Sequence, residues 1–200
     1  MEKTLLSAFL YNNRLKFNEI EKNTKIKSNK LSYYLKKLIK ERILIKDKDA
    51  YKLSETSEYL IPYISDKKVV LPITLIIIEK NKKIFLIERQ KRPFKNKLSL
   101  PGGRMILGES IIKTTERIMK EKFSLKCKFK KINSISIEHV KKNNKIVHSF
   151  LLILVTATTK NKIPYINPKN NKTKIISSDY RLIKKDMNKE IRINNIFSRE

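Results

Sequence analysis

The stretch LSLPGGRMILGESIIKTTERIMKEKFSL, residues 98–125, contains every glycine of a 200-residue chain. A chain this poor in glycine keeps the residue where the backbone needs a positive φ or where another group must approach closely. The loop from Pro101 to Gly108 is therefore predicted to be a functional turn. Its three glycines are Gly102, Gly103 and Gly108.

Apolar residues recur at helical spacing after this loop. The spacing predicts a helix from about residue 109 to residue 123. We expect its apolar residues Ile112, Met119 and Phe123 to lie along one side.

The loop and the predicted helix together resemble the Nudix box. That pattern is a Gly, five residues, a Glu, seven residues, and then Arg-Glu-U-x-Glu-Glu-x-Gly-U, where U is aliphatic. The preceding Leu-Pro-Gly-Gly is the usual lead-in of the family. The resemblance implies a Nudix-type α/β/α sandwich over residues 69–200, acting on a nucleoside diphosphate linked to another group. The positions that match in register are Gly103, Glu109, Arg117, Met119, Glu121 and Leu125.

Three positions depart from the family pattern, namely Ile118, Lys122 and Ser124. Positions 118, 121 and 122 share one helix face. In the family, three carboxylates there bind Mg²⁺, which polarises a pyrophosphate and activates a water. In this chain the face reads Ile, Glu, Lys, and an ammonium competes with a cation. One remaining Glu makes a poor Mg²⁺ site, so the cofactor that the family implies is in doubt.

Two interpretations of these residues remain open. By periodicity alone the stretch is an ordinary surface helix with i, i+4 ion pairs. If the chain is an active hydrolase, the catalytic residues are Glu121, Arg117 and Glu109. The metal is then held by Glu121 and Glu138, with the carbonyl of Gly102 or Gly103. If the chain only binds a ligand, the residues expected to contact it are Gly102, Gly103, Arg104, Gly108 and Lys122.

The region before this domain, residues 1–64, reads as three helices, a hairpin and a fourth helix. Ser28 is a good N-cap for the third helix, and two short strands flank a turn at residues 47–49. The order resembles a winged helix-turn-helix domain, whose third helix enters the DNA major groove. The fold class is thus α+β, with this domain joined through residues 65–68 to the Nudix-type sandwich. The residues expected to contact DNA are Asn29, Lys30, Ser32, Tyr33, Lys36 and Lys37.

The formal net charge of +28 favours polyanionic partners. Residues 25–42 carry seven basic residues and one acidic residue, which suits a helix among phosphates. Residues 69–200 are still more basic, which would attract a nucleotide or extend the DNA-binding surface. The alternative is compositional drift, since Lys, Ile and Asn are all abundant.

The remaining features indicate a protein of the cytoplasm with no membrane partner. The start of the chain lacks a signal peptide, and the longest apolar run, residues 69–78, is too short to span a bilayer. Cys127 is the single cysteine, which we interpret as a packing residue. His148, in an apolar strand, is also expected to be packed.

Three functions follow from the sequence. The first is a DNA-binding transcriptional regulator whose Nudix-like domain senses a nucleotide-type ligand. The second is a Mg²⁺-dependent Nudix pyrophosphohydrolase, and the third is an RNA- or protein-binding module. Winged-helix regulators are often two-fold dimers, but the sequence shows no clear dimer seam.

Overall fold

The structure is a computed structural model that describes residues 2–63 and 69–196. The chain divides into two compact units, Met1–Lys68 and Val69–Glu200. None of the helices in the described residues is long and apolar enough to cross a bilayer.

The first unit combines short helices with a small antiparallel sheet. The sheet has the strand order β1-β3-β2, because a two-residue strand ahead of the second helix pairs with the hairpin. That extra strand was not predicted. The fourth helix, predicted from about Glu55 to Ile64, is a 3₁₀ helix over Glu55–Tyr63, and Ile64 lies outside the described residues. The regular elements are α1 (Glu2–Ser7), β1 (Leu15–Lys16), α2 (Phe17–Thr24), α3 (Ser28–Lys40), β2 (Leu44–Asp47) and β3 (Ala50–Leu53).

Helix α3 buries the stripe that the sequence indicated. Leu31, Leu35 and Leu38 are each at most 2% exposed and pack into the core of the first unit. Ser28 was predicted to be the N-cap of α3, but it is the first helical residue. Its hydroxyl instead donates a hydrogen bond to the carboxylate of Glu21 on α2. Ser28 therefore helps join the two helices rather than capping one of them.

The second unit is built on a four-stranded mixed sheet with the order β10-β11-β4-β9. The apolar run from residue 69 forms β4, which lies inside this sheet as predicted. Two small hairpins and two helices complete the unit. Its elements are β4 (Leu71–Ile77), β5 (Glu79–Lys80), β6 (Lys83–Ile84), β7 (Ile87–Glu88), β8 (Leu98–Ser99), β9 (Gly102–Arg104), α4 (Ile111–Phe123), β10 (Lys128–Lys142), β11 (Lys145–Thr158) and α5 (Ser177–Asp186).

The sheet of the second unit is covered on both faces, which is why its inner strands are apolar throughout. On one face, Leu75 and Ile77 pack with Leu182 and Ile183 of α5. On the other face, Ile76 and its neighbours pack with Ile118 and Met119 of α4. The result is a helix–sheet–helix sandwich of mixed α and β structure.

Several boundaries differ from the prediction. The apolar run at residues 84–87, whose composition predicts one strand over residues 84–89, is divided between β6 and β7. Helix α4 starts at Ile111, with the Ser110 hydroxyl as its N-cap. Ile112 is 48% exposed rather than buried, because Ile111 takes the inward position. At the other end of α4, Ser124 adopts φ 55°, the left-handed conformation that glycine usually supplies after a helix.

Helix α5 places a carboxylate inside the second unit. Asp179 is 4% exposed, and its Oδ2 accepts the N–H of Leu100 at 2.8 Å. Burial raises the pKa of Asp179 to about 7. The charge of Glu138 also raises this pKa, whereas the Leu100 N–H and Arg89 oppose the rise.

This carboxyl should make stability depend on pH. Because its pKa in the folded chain is above the unfolded value of about 4, its contribution is complete below pH 4 and is lost as the pH rises through about 7. Asp179→Asn keeps an acceptor for the Leu100 N–H without a charge. We expect the variant to gain about 1.4 kcal/mol at pH 8 for each unit of pKa shift removed.

Urea unfolding of both proteins between pH 5 and pH 8 checks this expectation. Glu116→Gln, at an exposed position on α4, is the matched control and should leave the pH profile unchanged. A pH profile for Asp179→Asn as steep as that of the natural chain would contradict the assignment.

Candidate functional site

A network of hydrogen bonds joins α4 to the loop that precedes it. The Arg117 guanidinium binds Glu109 through two contacts, Nε to Oε1 at 2.6 Å and Nη2 to Oε2 at 2.9 Å. Nη2 also donates to the Arg104 carbonyl at 2.9 Å. Both charged groups are largely buried, and Arg117 lowers the pKa of Glu109. These two predicted catalytic residues therefore act on each other and fix the loop.

The Lys122 ammonium reaches back to the glycine-rich strand. Its Nζ donates to the carbonyl oxygen of Gly102 at 2.6 Å. Lys122 is an exposed residue, but desolvation of its ammonium lowers the pKa of Lys122. In the hydrolase interpretation this carbonyl was a candidate metal ligand. In the structure an ammonium binds it.

The two adjacent glycines of β9 permit this close approach. A Cβ at Gly103 would lie 2.9 Å from the Lys122 Nζ and 3.1 Å from Ile118. A Cβ at Gly102 would lie 2.6 Å from the backbone oxygen of Thr74 on β4. Gly108 has φ +77°, so the prediction that at least one of these glycines has a positive φ is confirmed.

Other cationic side chains act electrostatically on the Lys122 ammonium. After desolvation, the charges that lower the pKa of Lys122 are those of Arg117, Arg89 and Lys91. Arg89 and Lys91 come from the segment after β7, and the Arg89 side chain is braced by the Pro93 carbonyl at 2.9 Å. Neither residue is among the site residues predicted from the sequence. The sequence feature that could have identified them is the basic composition of residues 89–97.

The groups expected to hold metal are not assembled into a metal site. Ile118 is fully buried in the core beneath α4. Glu121 is exposed and its carboxylate lies 3.3 Å from Arg117. Glu138 pairs with Phe150, a residue of the α5 face, and its charge acts on Asp179. Across residues 2–63 and 69–196, no three His, Cys, Asp or Glu side chains are placed to hold a metal ion.

Cys127 and His148 were both predicted to be packed, and the structure agrees for Cys127 but not for His148. Cys127 is half-buried, and burial raises the pKa of its thiol to about 11, which fits a packing role. His148, expected to be packed, is exposed and stacks beside Phe150. The reason is that β4 pairs with β11 only from Phe150 onward.

Helix α3 presents most of the predicted DNA-contacting residues on its outer side. Asn29, Lys30, Tyr33 and Lys36 are exposed, and Ser32 is half-buried. Lys37 differs, because its Nζ lies 2.5 Å from Glu2 and 3.8 Å from Glu41. These carboxylates raise the pKa of Lys37 and occupy its charge.

No protein-family model matches this sequence. The chain is 37% identical over 99 residues to an ADP-ribose pyrophosphatase of Methanocaldococcus jannaschii. The match covers 50% of this chain and 48% of the relative, so the chain spans about half the length of the curated relative it matches.

Two solved structures resemble the chain in fold. The MutT protein of Methanosarcina mazei Go1 aligns over 60% of this chain and 94% of its own, with 13% identity and a TM-score of 0.50. The NUDIX domain of Shewanella oneidensis NrtR, in complex with ADP ribose, covers 66% and 96%, with 17% identity and a TM-score of 0.48. The box motif, the 37% identity to the archaeal relative and the likeness to the Methanosarcina mazei MutT protein together show that the chain contains a Nudix hydrolase fold.

Proposed function

We propose that this protein is a DNA-binding transcriptional regulator whose Nudix-fold unit binds a nucleotide-type ligand without hydrolysing it. The observation that carries the proposal is the bond from the Lys122 ammonium to the Gly102 carbonyl at 2.6 Å. It puts a fixed positive charge, supplied by the chain itself, against the backbone of the glycine loop.

The residues of this site do not fit a bound Mg²⁺. The ion requires several oxygen ligands in near-octahedral geometry. Here the Gly102 carbonyl is engaged by an ammonium, and the side chain at position 118 is a buried isoleucine. Glu121 is left as the one carboxylate on that helix face. We therefore derive no hydrolytic step through a metal.

The same residues suit an anion. Lys122, Arg89 and Lys91 gather positive charge, and part of it is desolvated, which strengthens its attraction for phosphate oxygens. Arg117 is committed to Glu109 and keeps the loop in place. The phosphates of a nucleotide could therefore bind here with the cationic side chains in the place of a metal.

The name of the archaeal relative suggests a ligand to test. It is an ADP-ribose pyrophosphatase, and ADP-ribose is a nucleoside diphosphate linked to a second group. That is the substrate class implied by the box motif. ADP-ribose is therefore the first probe for the Nudix-fold unit.

Features of the first unit support the DNA-binding part of the proposal. Helices α2 and α3 are joined by three residues, 25–27, as in a helix-turn-helix. The outer side of α3 carries Lys30 and Lys36, for which no ion pair is formed within the described residues. The negative charges of the hairpin are balanced by lysines. Asp49 pairs with Lys16 at 2.7 Å, and Asp47 pairs with Lys52 at 3.5 Å.

A second candidate function is a Mg²⁺-dependent Nudix pyrophosphohydrolase. The 37% identity to an ADP-ribose pyrophosphatase favours it. It requires Glu121 to act in a rearranged metal site, with Lys122 displaced from the Gly102 carbonyl. Turnover with Mg²⁺ separates this candidate from the regulator.

Ligand binding should not depend on Mg²⁺. We expect ADP-ribose to bind with similar affinity in EDTA and in Mg²⁺, measured by calorimetry, with no AMP formed in either. Lys122→Gln should weaken binding about tenfold, which corresponds to about 1.4 kcal/mol. Lys120→Gln, on the exposed side of the same helix, is the matched control and should bind like the natural chain.

The opposite result is equally clear. Rapid Mg²⁺-dependent release of AMP by the natural protein, abolished in Glu121→Gln, would establish a pyrophosphohydrolase and rule out the ligand-sensing function. Equal binding by the Lys122 and Lys120 variants would remove Lys122 from the ligand site.

DNA binding should depend on the outer lysines of α3. In Lys30→Ala with Lys36→Ala, the slope of log affinity against log salt should fall by about 0.9 for each phosphate that the variant no longer neutralises. Lys37→Ala should change the slope less, because Glu2 and Glu41 already pair with that ammonium. Fluorescence anisotropy with a duplex of about 30 base pairs at several salt concentrations makes the measurement. An unchanged slope in the double variant would exclude docking through α3.

A further inference from the structure

The long hairpin of the second unit extends beyond the sheet to which it belongs. Strand β4 pairs with β11 from Phe150 to Thr156. Residues 145–149 of β11 pair with β10 alone among the described strands. We call residues 139–149 the ribbon. At about 3.3 Å per residue, its free strands are on the order of 15 Å long.

The tip of the ribbon is tightly defined. Lys142 and Lys145 are directly opposite each other, so Asn143 and Asn144 form a two-residue loop. These asparagines have φ of 49° and 58°, which is typical of the turn whose twist matches a two-stranded ribbon. The ribbon therefore ends in a tight two-residue turn, and its pairing shifts register once, between Val140 and Lys141.

The ribbon carries unbalanced positive charge. Residues 141–148 are all exposed. Lys141, Lys142 and Lys145 form no ion pair within the described residues, and the ribbon contains no acidic residue. Like charges directly opposite on neighbouring strands destabilise a sheet. The facing ammoniums of Lys142 and Lys145 would be relieved by a phosphate bound between them.

The surrounding sequence strengthens this asymmetry. From Lys122 to Ser178 the chain has thirteen lysines and one acidic residue, Glu138. Glu138 lies just outside the ribbon and acts on the buried Asp179. The ribbon is thus the projecting part of a segment with almost no negative charge.

We propose that the ribbon is a second DNA-binding element, which inserts its tip into the major groove and contacts the flanking phosphates. A two-stranded β-ribbon fits the major groove of B-DNA, whereas the deep and narrow major groove of duplex RNA does not admit side chains. The amides of Asn143 and Asn144 can meet base edges, and Ile146, which is 52% exposed, can meet thymine methyl groups.

A lipid surface is the less suitable partner. Segments that lie at a membrane interface usually present Trp, Tyr or Phe among their basic residues. The ribbon has none of these residues. Its side chains are instead lysines, histidines, amides and aliphatic groups, which suit a polar groove lined by phosphates.

The test is a charge-matched pair of triple variants of the full chain. The ribbon variant is Lys141→Gln, Lys142→Gln, Lys145→Gln. The control is Lys160→Gln, Lys162→Gln, Lys169→Gln, three exposed lysines elsewhere in the second unit. Affinity for a DNA duplex of about 30 base pairs is measured by anisotropy between about 50 and 200 mM salt, and thermal melting checks that each variant is folded.

We expect the ribbon variant to lose about two to three units of salt slope, at about 0.9 per neutralised phosphate, and the control to lose much less. Reversal of the facing pair, Lys142→Glu with Lys145→Glu, should weaken binding further. Equal slopes for the two triple variants would overturn the proposal. A ribbon variant that binds phosphatidylserine vesicles more weakly but binds DNA as tightly as the natural chain would also overturn it.

The proposal stands independently of docking through α3. If Lys30→Ala with Lys36→Ala leaves DNA binding unchanged while the ribbon variant reduces it, α3 does not touch the duplex and the ribbon does. If the α3 variant reduces binding and the ribbon variant matches its control, the ribbon proposal is wrong, while DNA docking through α3 is retained.

Discussion

The ion pair between Arg117 and Glu109 is the interaction on which the geometry of the site depends. It is bidentate and largely buried, and the same guanidinium binds the Arg104 carbonyl. Because one side chain of α4 holds both ends of the preceding loop, the glycine strand is presented to α4 at a fixed distance. In that arrangement the Lys122 ammonium reaches the Gly102 carbonyl.

The glycine strand is also restrained from the other side of the sheet. Asp179 of α5 binds the N–H of Leu100, two residues before Gly102. The loop is thus fixed by α4 through cations and by α5 through a buried carboxyl. A segment held by both helical layers loses little further conformational entropy when a ligand binds, which favours recognition.

The sequence predicted features that depend on short-range pattern, and it missed features that depend on distant partners. The box loop, α4, the apolar strand β4 and the stripe of Leu31, Leu35 and Leu38 were predictable, because glycine use and hydrophobic period are local signals. The partner of Lys37 is 35 residues away, and the acceptor of Lys122 is 20 residues away. Neither contact could be predicted from the spacing of residues, because its two partners are so far apart in the sequence. His148 was misplaced because pairing with β4 ends at Phe150.

The burial of Ile118 restricts which side chains this position accepts. The side chain is fully enclosed with Met119 and the apolar residues beneath α4. A glutamate introduced here would carry an unpaired charge into that core, at a cost of several kcal/mol. A single substitution at position 118 would therefore lower the stability of the unit before it could supply a metal ligand.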